Sequence, residues 1–190
     1  MVEVPEMHTL VARAAGRRHV LEGLIACIPD DYWERRAFND SWTAVDHLRH
    51  VATVDRMIVE LATAAQKPQE ILWLGNTQDA LELESKRLEL MDGLAHQGIQ
   101  RLVQAMQAAR EAVVEALLVL PQTVLDQKIH VAGILTPWGE PHPFPLRTYL
   151  ASWAEHDKEH EASIRLAIET NPDVTMLTLA TRQARVAQNR

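Results

Sequence analysis

The sequence contains only one cysteine, Cys27, among its 190 residues. An internal disulfide and a cysteine-based zinc cluster are therefore both excluded. Basic residues are also few, since 19 Lys and Arg stand against 26 Asp and Glu and the formal net charge is -7. Because a nucleic-acid-binding protein needs a concentrated basic face to neutralise phosphates, the composition argues against DNA or RNA as a partner.

Long apolar runs are missing as well. No stretch approaches the roughly 18 residues that a membrane-spanning helix needs, and the N-terminus lacks the basic-then-apolar order of a secretory signal. We therefore expect a soluble, cytoplasmic protein with no membrane partner. A chain of 190 residues accommodates one domain with an appended tail and is long enough to enclose a substantial apolar core.

Strand-type alternation of Val, Ile and Thr is almost absent, apart from a short extended piece predicted within residues 128–135. Instead, clusters of prolines and turn formers separate segments rich in Ala, Leu, Glu, Gln and Arg, which favour helices. The pattern predicts an all-α four-helix bundle over residues 1–170 and a C-terminal tail over 171–190. The predicted helices cover about residues 6–28, 41–66, 77–120 and 146–169.

Several residues mark the boundaries of these helices. Asp40 or Ser41 is expected to cap the second helix, and Gly93 and Gly98 are candidate breaks in the third segment. A long proline-rich loop, with five prolines from Pro121 to Pro145, precedes the fourth helix because proline excludes continuous helix. Three aromatic rings in this loop either line the mouth of a pocket or cap the end of the bundle: Trp138, His142 and Phe144.

The last predicted helix carries two histidines, His156 and His160, within the charged run AEHDKEHE. At about 100° per residue, both lie in the same arc as Trp153 and Ile164, whereas the neighbouring charges point away. Buried imidazoles need a partner, which is either a hydrogen-bonding group or a shared metal ion. The residues alone leave both alternatives open, and the metal ion requires a third ligand from a facing helix.

The second helix offers two candidates for that ligand, His47 and His50. Because they are three residues apart, only one of them is expected to point at a given spot. The helical wheel places His47 inside the apolar arc and His50 at its margin. Periodicity therefore slightly favours His47.

Two motifs make the sequence resemble the DinB-like family of metal-dependent proteins. The stretch WTAVDHLRH, in which His50 follows Trp42 by eight residues, is similar to the family signature W-[ST]-x(6)-H. The run from His156 through Asp157 to His160 is similar to the family motif H-D-x-x-H. The resemblance covers about residues 6–169, and it implies a metal site formed by His50, His156 and His160. It leaves His47 either as a neighbour of the site or as a residue that supports the ligands.

The resemblance also implies chemistry. It points to a hydrolase or a thiol-dependent S-transferase that acts on a small molecule through a divalent ion, zinc or nickel, and to a homodimer. Three imidazoles leave a coordination position open, where zinc lowers the pKa of bound water or polarises a substrate. Asp157 either orients a ligand imidazole or is a solvated helix residue.

A non-enzymatic function remains a second hypothesis. In that case the chain is a stress-associated bundle in which the metal ion, or only a cluster of hydrogen-bonded histidines, stabilises the fold and the third segment mediates dimerisation. Two other metalloprotein templates fit less well. A zincin needs Glu directly after the first histidine, where Asp157 stands, and a di-iron bundle needs two Glu-x-x-His units that are absent.

Overall fold

A computed structural model of the chain describes residues 6–67 and 70–169. The predicted tail at 171–190 lies outside these residues. None of the helices in the described part combines the length and the hydropathy needed to cross a membrane. The described residues form five α-helices: α1 Glu6–Ile25, α2 Ala44–Ala65, α3 Ala80–Asp92, α4 Ile99–Leu118 and α5 Leu146–Glu169.

Four of these helices form a bundle. α2 packs along α4 and α1 packs along α5, while contacts between α2 and α5 and between α1 and α4 close the arrangement. α3 is shorter and packs on α2 outside the four. The predicted four-helix bundle is confirmed, and α5 begins and ends where the sequence predicted.

The third predicted segment consists of two helices. Asp79 caps the start of α3, where its side chain accepts hydrogen bonds from the amides of Leu81 and Glu82, and Gly93 caps the end of the helix. α4 then begins after Gly98. The predicted breaks at both glycines are confirmed, and they allow α3 to leave the bundle.

The start of α2 is fixed by a capping box. The Thr43 hydroxyl accepts from the amide of Asp46, and the Asp46 carboxylate accepts in return from the amide of Thr43. This reciprocal pair satisfies two amides that have no partner within the helix. The expectation that Asp40 or Ser41 caps α2 is therefore wrong, because the helix starts two residues later. His47 consequently lies in the first turn of α2.

A small three-stranded sheet ties the long loop to the bundle. Its strands are β1 Ile71–Trp73, β2 Lys128–His130 and β3 Phe144–Pro145. β1 pairs with β2 in parallel and β2 pairs with β3 antiparallel. The extended segment predicted at 128–135 is confirmed for its first three residues, which form β2. Because β3 leads directly into α5, the sheet fixes the point at which α5 enters the bundle.

A layer of charged side chains crosses the core of the bundle. Each bundle helix contributes one of its members, and all four are at most 6% exposed: Arg18 from α1, Asp55 from α2, Arg110 from α4 and Asp157 from α5. Along each helix, the layer separates one buried apolar cluster from the other.

The layer is held together by ion pairs in which each arginine bridges both aspartates. Arg18 donates to Asp157 at 2.7 Å and to Asp55 at 2.9 Å, and Arg110 donates to each of them at 3.0 Å. The indole of Trp153 donates a further bond to Asp55 at 3.0 Å. Burial by itself would lower the pKa of Arg18, but the two carboxylates outweigh it and the pKa is raised. Charges buried this deeply are tolerated only when they are paired and hydrogen-bonded.

The environment of Asp157 differs from both interpretations of the sequence. It is 1% exposed, so it is not a solvated helix residue. Its carboxylate oxygens contact the two arginines of the charged layer instead of orienting an imidazole. Because Asp157 lies between His156 and His160, the ion pairs fix the segment of α5 that carries both rings.

Candidate metal centre

Three histidines from α2 and α5 converge on one point beside the charged layer. The Nε2 atom of His156 lies 3.2 Å from Nε2 of His50 and 3.1 Å from Nε2 of His160. One ligand atom from each ring lies within 4.8 Å of the other two. The structure thus brings together the three residues that the two sequence motifs selected.

These separations fit neighbouring ligands of one metal ion. Imidazole nitrogens about 2.0–2.1 Å from zinc lie roughly 3.3 Å apart at the corners of a tetrahedron. The two observed separations on His156, 3.2 and 3.1 Å, are within a few tenths of an ångström of that value. Two of the three separations in the cluster therefore match those of neighbouring ligands of one divalent ion.

Hydrogen bonds among the rings do not satisfy this arrangement. A ring nitrogen carries either one proton or one lone pair, both in the plane of the ring. Nε2 of His156 faces two other nitrogens at once, so a proton on any one ring serves only one of the two contacts. A cation that accepts a lone pair from each ring satisfies all of them.

The protonation state of the rings suits metal binding. Burial, with smaller contributions from neighbouring positive groups, lowers the pKa of His50 to about 3 and that of His160 to about 2. Burial also lowers the pKa of His156, against the opposing effect of nearby carboxylates. At neutral pH all three imidazoles are uncharged, and their lone pairs are available to a cation.

His47 supports the cluster from outside. Its Nδ1 lies 2.9 Å from Nδ1 of His160, and its Nε2 lies 3.2 Å from a carboxylate oxygen of Asp40. If His160 offers the lone pair of Nε2 to a metal, its Nδ1 carries the proton and donates to His47. His47 then carries its own proton on Nε2, towards Asp40. His160 is therefore supported from behind by His47, as is usual for a metal-binding histidine, while Asp40 lies near Nε2 of His47 without forming a hydrogen bond to it.

Both histidines of α2 thus belong to the site, in different positions. The helical wheel slightly favoured His47 as the third ring, whereas the structure places His50 against His156 and gives His47 the contact with the far side of His160. Trp42 covers the same cluster, with its ring centroid 4.8 Å from that of His50 and 6.2 Å from that of His160.

A pocket of about 440 Å³ opens beside His50. Its wall is largely apolar, and Tyr149 from α5 and Arg87 from α3 add polar groups. Burial raises the pKa of the Tyr149 phenol, so this side chain keeps its proton and remains a hydrogen-bond donor. His50 belongs both to the histidine cluster and to the wall of the pocket, so the two adjoin at this residue.

The loop aromatics have separate positions. Phe144 lines the pocket. This is one of the two positions that the sequence predicted for the aromatic rings of the loop. Trp138 is 84% exposed and is not among the residues of the pocket wall, and His142 is also exposed. Only one of the three rings therefore lies at the site.

Sequence reasoning missed two features of the site. Arg87 lies on α3, outside both motifs, and no local signal marks it. The charged layer did leave a signal, because Arg18 and Arg110 occupy core-facing positions on their helices: Arg18 follows Ala14 by four residues and precedes Leu21 by three. A charged residue in the middle of an apolar stripe indicates a buried ion pair.

Comparisons with known proteins agree with this architecture. A family model described as the DinB superfamily matches residues 14–164. The chain is also similar to a crystal structure of a mutant of a mycothiol-dependent maleylpyruvate isomerase, with a TM-score of 0.63 and 11% sequence identity. That similarity covers 83% of this chain and 60% of the other, so this chain spans less than two thirds of the solved one. No curated protein matches the sequence.

Proposed function

We propose that this chain, which belongs to the DinB superfamily, holds a divalent metal ion between His50, His156 and His160 and acts on a small molecule. The proposed ion is zinc or nickel, and the proposed activity is that of a hydrolase or a thiol-dependent S-transferase. The observation that carries the proposal is that Nε2 of His156 lies within 3.2 Å of Nε2 of both other rings.

A divalent ion in this position supplies a Lewis acid, which lowers the pKa of a water or thiol in its open coordination position. The protein contributes the rest. The contact between Nδ1 of His47 and Nδ1 of His160 favours the tautomer of His160 that leaves its Nε2 free, and the ion pairs of Asp157 hold the helix that carries two of the proposed ligands. Tyr149 presents a protonated phenol in the wall of the pocket, where it can donate a hydrogen bond to a substrate oxygen.

The size of the pocket supports a small-molecule substrate. A volume of about 440 Å³ falls within the usual range of sites for small ligands, roughly 300–1,000 Å³. The similar solved structure is described as a thiol-dependent isomerase, which favours the thiol-dependent class. At 11% identity this likeness shows a shared fold, so the reaction has to be tested on this chain.

The decisive experiment compares turnover of metal-loaded and metal-free protein in two assays. One assay follows hydrolysis of 4-nitrophenyl acetate, and the other follows the loss of an aryl halide electrophile in the presence of mycothiol, glutathione or cysteine. We expect turnover in one assay that disappears with a chelator, returns with zinc or nickel, and is absent from the His156→Ala variant.

A different outcome would support the non-enzymatic hypothesis. If the protein binds the metal, melts at a lower temperature after chelation and yet shows no metal-dependent turnover in either assay, the proposed activity is wrong. The metal would then stabilise the bundle by binding only its folded state.

Replacing His47 with phenylalanine is expected to weaken metal binding without abolishing it. The variant keeps a ring against Trp42 but removes the acceptor for Nδ1 of His160. Loss of such a supporting contact typically lowers metal affinity roughly 10- to 100-fold. Competition with a chromophoric chelator measures the change, and His96→Phe is the matched control because His96 is exposed and outside the cluster. Equal affinity of the two variants would exclude a supporting role for His47.

A further inference from the structure

We propose that the pocket beside His50 takes a small molecule that has an apolar body and a carboxylate group, and that Arg87 binds the carboxylate. This inference rests on the proposed function, because it concerns the same site and names the class of its substrate. It assigns a specificity-determining role to a residue of α3, the helix outside the four-helix bundle.

The wall of the pocket defines the apolar body. Side chains from α2, α3, the sheet and the loop surround the cavity, and most of its exposed lining is carbon. Such a wall favours an apolar body over a sugar or another polyhydroxylated compound, because hydroxyl groups set against its carbon surface would lose water without gaining partners. The apolar members of the wall are Val54, Met57, Leu74, Leu83, Val131, Ile134 and Phe144.

Arg87 has a donor that nothing in the described part of the chain satisfies. Its Nη2 donates to Glu84 at 2.5 Å, but its Nε is buried and has no hydrogen-bond partner among the described residues. A buried donor without an acceptor is unfavourable. Because Arg87 lines the pocket, a shift of its side chain that brings the buried Nε to an acceptor bound there would remove that cost.

Arg87 lies close to His50 of the histidine cluster. Both Arg87 and His50 line the pocket, and both lie against the ring of Trp42: the guanidinium carbon is 5.8 Å from the centroid and the His50 ring is 4.8 Å from it. A metal ion at His50 would therefore add positive charge next to Arg87. The part of the pocket next to Arg87 and His50 therefore favours an anionic group over a cationic one.

Glu84 is the one acidic residue of the pocket wall, and it does not reverse this preference. Its side chain is 48% exposed, whereas that of Arg87 is 31% exposed. Glu84 can turn into water at little cost because an exposed ion pair contributes little. The planar fork of an arginine matches both oxygens of a carboxylate, so a substrate carboxylate can replace Glu84 as the partner of Arg87.

The test uses three probes with the same body and different ends: 4-phenylbutyrate, 4-phenylbutanol and 4-phenylbutylamine. Titration calorimetry measures their binding to protein that has been freed of metal with a chelator, and then to zinc-loaded protein. We expect the carboxylate to bind metal-free protein roughly 10- to 100-fold more tightly than the alcohol, which is the usual effect of a hydrogen bond to a charged group. The amine is expected to bind most weakly.

Variants test whether the preference for the carboxylate probe over the alcohol depends on Arg87. Arg87→Met is expected to bind the acid and the alcohol equally, and Arg87→Lys is expected to keep part of the preference. Arg101→Met removes the same charge from a residue that lines a separate cavity and should bind the probes as the unaltered protein does. Glu84→Gln frees Arg87 from its partner without truncating it, so this variant should bind the carboxylate more tightly.

The outcomes separate this inference from the proposed metal site. If none of the probes binds, or if the acid and the alcohol bind equally to the unaltered protein, the inference is wrong whether or not zinc binds. If the preference persists in Arg87→Met but disappears on removal of zinc, the metal holds the carboxylate and Arg87 does not. If the preference depends on Arg87 in protein that does not bind zinc, the inference holds and the metal proposal fails.

Discussion

Replacing His156 with alanine is expected to abolish stoichiometric metal binding. His156 is the central ring of the cluster, since its Nε2 lies 3.2 Å from that of His50 and 3.1 Å from that of His160. Loss of a contact that only supports a ligand already costs roughly 10- to 100-fold in affinity. Loss of the ligand itself should therefore exceed about 100-fold. Elemental analysis after dialysis, together with chelator competition, measures both the content and the affinity.

The matched control is His19→Ala, which removes an exposed imidazole from α1. This variant should retain about one metal ion per chain. If His156→Ala retains as much metal as His19→Ala, the three rings are not the binding site, whatever their separation. Circular dichroism of both variants ensures that the comparison is made between folded proteins.

Replacing Asp55 with alanine is expected to destabilise the fold by roughly 3–5 kcal/mol, which is the usual cost of removing one partner from a buried ion pair. Asp55 accepts hydrogen bonds from Arg18, Arg110 and Trp153. The variant leaves two buried guanidinium groups with one carboxylate between them. Because a domain is typically stable by only about 5–15 kcal/mol, this loss is a large part of the total. Urea denaturation should show a much lower midpoint.

Asp126→Ala provides the control, since Asp126 also pairs with an arginine but its side chain is 74% exposed. Exposed pairs contribute about 0–1 kcal/mol, so its midpoint should barely change. Similar free energies of unfolding for the two variants would contradict the account of the charged layer. They would show that water or rearrangement compensates the buried arginines.

Most helix boundaries of this fold were predictable from the sequence because the residues next to each boundary determine them. The proline-rich loop predicted where α5 begins, and the two glycines predicted the break between α3 and α4. The cap of α2 was placed two residues too early. Asp40, Ser41 and Thr43 are all residues that cap helices, and only the reciprocal bond from Asp46 distinguishes Thr43.

The site itself was predictable only in part. Helical periodicity put His156 and His160 on one face, but it could not decide between His47 and His50, because both lie near the apolar arc of α2. The structure shows why: His50 contacts His156, and His47 contacts the opposite nitrogen of His160. Two neighbouring turns of α2 therefore contact the histidine cluster at different rings.

The position of Arg87 could not be predicted from any local pattern. It reaches the pocket because the chain between α2 and α3 forms β1 and turns back through Gly75, which has a positive φ of 66°. The path of that connection depends on the pairing of β1 with β2, which lies more than fifty residues further along the chain. Long-range pairing of this kind leaves no periodic signal in the sequence.

X-ray absorption spectroscopy of the metal-loaded protein tests the central claim most directly. We expect one ion per chain, with a first coordination sphere that contains three imidazole nitrogens at about 2.0–2.1 Å if the metal is zinc. The outer-sphere scattering of the imidazole rings should fall in the His50→Ala variant. A spectrum without imidazole scattering, or one that is identical in the unaltered protein and in His50→Ala, would contradict the claim that these rings share a metal ion.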